Sequence, residues 1–236
     1  MYLSGLQIDE LTRLLKTFFS LPYSTDLDGK DAETLIQIVK GASGPRSKRK
    51  ELFDIIDGDI GYSVKTLRKS PTAVRVDLQE QRFCDVEEMR KLVASKSNSN
   101  EGLGKILLKY MRNRITDHMK LRGIKVAKSL ILLKFWDEKR TKFSFKYWEE
   151  YFIGYIDNLW RRNEDGEIEW VLLNAGIHAM DRCRQDEAGK NVRLLRMHQK
   201  HNQIFTDHDI PIDAVSIEFG VKPISWLRLA ALLDGR

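Results

Sequence analysis

The chain has 236 residues, 42% hydrophobic and 31% charged, and its 40 Lys and Arg outnumber 34 Asp and Glu to give a net charge of +6 and a pI near 9.2. That is apolar material for one substantial core, and the basic excess favours a polyanionic partner through steering and phosphate neutralisation. Cys84 and Cys183 fit no CxxC or Cys/His ligand spacing, no basic and apolar leader opens the chain, and no apolar run reaches the length of a bilayer. These features exclude a disulfide scaffold, a structural zinc site and a helical membrane span, and the expectation is a soluble cytoplasmic protein.

Leu6, Leu11, Leu14, Leu15, Phe18 and Phe19 recur at helical spacing, which predicts a helix over 6–20 stopped by Leu21-Pro22. Asp28 opens a second helix to about Lys40, and the turn-rich segment 41–50 carries Arg46, Lys48, Arg49 and Lys50. Two apolar runs around Asp57-Gly58 then predict a β-hairpin over 51–67, with Leu52, Asp54 and Ile56 on one face and Ser63, Lys65 and Leu67 sharing a face of the return strand. Val74 to Leu78 alternate as a third strand. Asp85 caps a helix to about Ser95, and a polar linker leads to a long helix from Leu103 to Gly123, whose outer face carries Lys105, Lys109, Arg112, Arg114 and Lys120.

Residues 128–136 form the most hydrophobic strand and are expected at the centre of a sheet, returning through 143–148. A further hairpin is predicted from 156–162 and 167–173 around Asn163-Glu164-Asp165-Gly166. The last fifty residues show no clear period. Together these elements predict an α/β (α+β) domain in three layers, a central mixed sheet flanked by helices.

An apolar hairpin that carries Asp54 and Lys65 side by side is costly unless a cation or phosphate belongs to the site. The segment resembles the PD-(D/E)xK nucleases, the superfamily of most type II restriction endonucleases, in which an Asp precedes a short hairpin into an acid-x-Lys triplet and a preceding helix adds a Glu. Here Asp54, Ser63-Val64-Lys65 and Glu33 stand in that order over residues 28–85. Phe53 replaces the usual Pro, and Ser63 replaces the usual acid, as in a minority Ser-x-Lys variant that recovers its carboxylate from a later position. Glu80 is the natural candidate, with Asp77 second.

The resemblance implies a Mg²⁺-dependent, site-specific endodeoxyribonuclease acting on double-stranded DNA as a homodimer, with a cognate DNA methyltransferase as its functional companion. Asp54, Glu80 and Glu33 would hold Mg²⁺. Lys65 would attend the attacking water, and Ser63 would belong to the catalytic set. The chain would be one nuclease domain, its catalytic core at about 28–136 and its DNA-recognition part at about 137–236. Arg46, Lys48, Arg49 and Lys50 suit contacts to the DNA backbone, and Arg193, Arg196, Lys200 and Asn202 suit bases or phosphates. Three alternatives stay open: a mismatch- or structure-directed nuclease of the same fold, a non-catalytic nucleic-acid-binding protein, and an edge-strand salt bridge for Asp54 and Lys65. Asp57 and Asp59 read as turn residues, the histidines fit no zinc pattern, and the five tryptophans read as core.

Overall fold

The structure is a computed structural model that describes residues 3–22, 24, 26–42, 52–70, 72–80, 99–136, 139, 141–173, 176–198 and 203–234, with Trp136 described by its backbone alone. In chain order its elements are α1 (Gly5–Ser20), α2 (Gly29–Lys40), β1 (Ile55–Asp57), β2 (Ile60–Arg68), β3 (Arg75–Gln79), α3 (Asn100–Arg122), β4 (Val126–Trp136), β5 (Lys142–Tyr151), α4 (Phe152–Glu164), β6 (Ile168–Leu173), β7 (Gly176–Gln185), β8 (Asn191–His198), β9 (Gln203–Asp209), β10 (Val215–Gly220) and α5 (Trp226–Leu233). This is a mixed α and β chain with two sheets. Among the described residues no helix is long and apolar enough to cross a membrane.

The chain divides into two compact units that interleave in sequence, one of residues 1–73, 128–150 and 211–236, the other of 74–127 and 151–210. In the first unit the sheet runs β1-β2-β4-β5-β10, so the most apolar strand is central, as its composition predicts. The two helices form where expected. Ser4 and Gln7 close a capping box on α1, and Asp28 caps α2 by accepting from the Asp31 N–H at 2.8 Å. Leu11, Leu15 and Phe19 of α1 and Ala32 and Ile36 of α2 bury against Ile55, Tyr62, Leu130, Leu132, Phe145 and Ile217 of the sheet. Phe19 stacks on Phe143 with ring centroids 4.2 Å apart.

In the second unit the sheet runs β3-β9-β8-β7-β6, and each of these neighbouring pairs is antiparallel. Helix α3 packs on β6 and β7 and on α4. Its approach depends on Gly104, where a Cβ would lie 2.0 Å from the Trp170 indole.

Two expectations are corrected. Residues 156–162 lie inside α4 rather than in a strand, because Phe152, Ile156 and Leu159 repeat at steps of four and three and bury one helical stripe. The last fifty residues are largely regular: β8, β9, β10 and α5 occupy most of them. Period two fails in β8 because a register shift against β7 turns Leu194 and Leu195 both inward, and charged residues on the other face dilute the apolar signal. The predicted helix at 85–95 lies outside the described residues.

Candidate functional site

The hairpin expected to carry the chemistry is present. Ile55 pairs with Tyr62, Ile56 with Gly61 and Asp57 with Ile60, leaving Gly58 and Asp59 as the turn, with Gly58 at φ 59° in the left-handed region that glycine takes without a steric penalty. Ile55, Tyr62 and Val64 point into the core beneath α1 and α2. Just before β1 the backbone leaves the ladder. The Asp54 N–H donates to Tyr62 O at 2.8 Å, and Asp54 Oδ2 accepts from the Val64 N–H at 2.8 Å. The carboxylate thus stands in for a main-chain acceptor, which fixes it on β2 beside Ser63 and Lys65. Ser63 is buried, with 1% exposure, and Lys65 is half-exposed.

Glu33, on the partly exposed side of α2, belongs to the same electrostatic cluster. Its pKa is pushed up to about 7, first by burial, then by the negative charges of Asp54 and Asp28, against the opposing pull of Lys30 and Lys65. Residues of the hairpin are therefore near enough to Glu33 to bear on its charge. Two carboxylates that repel each other when ionised gain from a shared cation, and Mg²⁺ is commonly held by one or two carboxylates while keeping several waters. Glu33 and Asp54 fit that requirement. Among the described residues no group of three or more Asp, Glu, His or Cys gathers at metal-holding separations.

The two residues proposed to replace the acid missing at Ser63 sit in the second unit. Glu80 follows β3, is buried with 2% exposure, and accepts from Thr206 Oγ1 at 2.9 Å, while His208 Nε2 lies 2.8 Å from the same hydroxyl. With its one proton given to Glu80, Thr206 accepts from His208. Asp77 Oδ2 accepts from Arg196 Nη2 at 3.0 Å.

Of the DNA-binding candidates, Arg46, Lys48, Arg49, Lys50, Lys200 and Asn202 lie outside the described residues. Arg193 and Arg196 are on the strand β8. Arg193 donates to both oxygens of Asp207, at 2.8 and 2.9 Å, and the Arg196 guanidinium lies 4.3 Å from the Phe205 ring centroid. Burial, then the charges of Arg193, Arg196 and His198, hold the His178 imidazole below its usual pKa. On the outer face of α3, Lys105 and Arg112 pair with Glu164 and Asp157 of α4.

One charged cluster escaped the sequence reading. Lys40 and Lys128 donate to Glu149 at 3.2 and 2.8 Å, Tyr147 donates to the same carboxylate, and Lys40 lies 4.1 Å from the Tyr62 ring centroid. The available signal was a lysine at each end of the apolar run of β4. Lys128 meets Glu149, and Lys134 donates to Asp26 at 2.8 Å.

Compared with protein-family models, curated proteins and solved structures, the chain matches none.

Proposed function

We propose that the chain is a Mg²⁺-dependent, site-specific endodeoxyribonuclease that cuts double-stranded DNA in the manner of type II restriction enzymes. The observation that carries the reading is the Glu33, Asp54 and Lys65 cluster, an acid on α2 within electrostatic reach of an acid and an ammonium at the hairpin. On this reading the first unit's sheet is the centre of a restriction-endonuclease-like core with the active hairpin at one edge.

Asp54, fixed by the Val64 N–H, and Glu33 would hold the cation. Mg²⁺, when bound, supplies charge neutralisation at the scissile phosphate and a more acidic water. Lys65 would donate to that water or to a non-bridging oxygen as negative charge grows there. Ser63 contributes at most a neutral hydroxyl, and Glu80 is the residue to test for the acid that Ser63 does not supply. A homodimer would address two antiparallel strands by two-fold symmetry.

Incubation with supercoiled plasmid tests the reading. Discrete fragments that require Mg²⁺ and vanish with Asp54→Ala support it, a smear indicates a nonspecific or structure-directed nuclease, and binding without cutting leaves the non-catalytic alternative.

A further inference from the structure

The sheet of the second unit has two unlike faces. One buries Val76, Leu78, Leu195, Met197 and Ile204. On the other, the strand register sets Gln79, Phe205, Arg196, His178 and Val171 in a single row across all five strands, with Arg193 and His198 beside it. Residues directly opposite in an antiparallel ladder share a face, so the row is a continuous platform.

Its centre is a stacked pair. The Arg196 guanidinium lies 4.3 Å from the Phe205 ring centroid, and the His198 ring meets the same phenyl edge-on with centroids 5.9 Å apart. Asp77 holds one Arg196 nitrogen, while Arg196 Nε is buried with no acceptor among the described residues. Arg193 is fixed by its two bonds to Asp207, which leaves its remaining N–H groups pre-positioned. After burial, the charges of Arg193, Arg196 and His198 lower the His178 pKa against the opposing pull of Asp207, so these groups all face the same row.

A platform that joins aromatic faces to fixed guanidiniums matches nucleotides, which carry a flat base and an anionic phosphate. Strand spacing decides between duplex and single strand. Five strands at about 4.8 Å span about 19 Å between the outer two, wider than the roughly 12 Å major groove, so the whole row cannot reach base edges in a duplex.

We propose that this face binds an unpaired polynucleotide strand, with a base stacked at the Phe205 and Arg196 platform and backbone phosphates on Arg193 and Arg196. The inference rests on the nuclease reading only for the kind of polynucleotide met, DNA. Binding measured in chelator needs no cleavage, so either idea can fail while the other stands.

The test is fluorescence anisotropy with the full chain in EDTA, using a labelled mixed-sequence oligonucleotide of about 20 nucleotides, longer than one site. The same sequence is presented as single-stranded DNA, single-stranded RNA and DNA duplex. Single strands should bind more tightly than duplex, and the RNA arm shows whether the sugar matters. Phe205→Leu should weaken single-strand binding about tenfold, the worth of one stacked base, with little change for duplex. Gln79→Glu, at an exposed position opposite Phe205, should weaken it similarly by adding negative charge beside the platform, and it carries the test if Phe205→Leu fails to fold. Duplex bound as tightly as single strand, or folded variants that bind single strands like the wild type, would overturn the proposal.

Discussion

Asp54 Oδ2 accepts a hydrogen bond from the Val64 N–H at 2.8 Å, so the carboxylate and the triplet Ser63-Val64-Lys65 are tied together by the main chain itself. That tie separates structure from chemistry. Asp54→Asn keeps an oxygen for the Val64 N–H and removes the charge, so it should abolish cleavage with little loss of stability. Asp54→Ala also strands the N–H and should destabilise by about 1–3 kcal/mol. Urea melts of both variants beside a plasmid assay check the pair, and an active Asp54→Asn would remove the carboxylate from the chemistry.

Glu33 gives a pH signature. Its folded pKa of about 7 lies above the ordinary 4.5, so the fold favours the protonated acid. Glu33 therefore leaves stability intact below about pH 4.5 and subtracts from it as pH rises through about 7. Mg²⁺ favours the ionised form, so its uptake at pH 7 should release about half a proton from this group, and apparent affinity should rise with pH through that range. Calorimetry in two buffers of different ionisation enthalpy measures the release. Glu33→Gln should remove it, and a release unchanged in that variant would assign the proton elsewhere.

How much of this was legible in the sequence differs by element. Helices α1, α2 and α3 announced themselves through apolar spacing, the stop at Leu21-Pro22, Asp28 and Gly123, and β4 through its apolar run, because those signals are local. The hairpin was legible from Asp57-Gly58. The reach of Glu33 to Asp54 was implied only by family resemblance, since packing of α2 on the hairpin is a tertiary fact. Arg196 pairs with Asp77 on a strand far away in the chain and Arg193 with Asp207 on the next strand, so arginines that looked irregular in sequence are each half of a cross-strand pair.

Glu80 is set for a two-way test. Glu80→Ala leaves the buried Thr206 hydroxyl without its carboxylate and should lower stability by about 1–3 kcal/mol, whereas Glu80→Gln keeps an acceptor and should be milder. Denaturant midpoints check this. In a cleavage assay, a stable but inactive Glu80→Gln assigns it the missing acid, and full activity leaves Glu33 and Asp54 as the site's acids.

The Glu149 cluster predicts a large structural effect. Lys40, Lys128 and Glu149 are exposed by only 6%, 5% and 2%, and Glu149→Gln removes the carboxylate charge that two buried ammonium groups share. A loss of about 3–5 kcal/mol is expected in urea unfolding, larger than that of any single surface ion pair. Burial pushes the Glu149 pKa up, but bonds from Lys128 and Tyr147 and the charge of Lys40 outweigh it and leave the pKa lowered. Its stabilisation is therefore present above the ordinary carboxylate range and lost as pH falls through the lowered value. A wild-type melt in the Gln variant would mean that the cluster contributes nothing net.

The central claim is that Glu33, Asp54 and Lys65 form a metal-dependent phosphodiester-cleaving site, and one plasmid assay with Lys65→Met tests it most directly. The variant removes the ammonium while retaining a chain of similar length at a half-exposed position. The wild type should give discrete fragments with Mg²⁺ and none in EDTA, and Lys65→Met should give none in either while still binding DNA, since affinity comes mainly from other phosphate contacts. Cleavage by Lys65→Met at the wild-type rate, or a wild type that cuts no DNA with any divalent cation, would contradict the account.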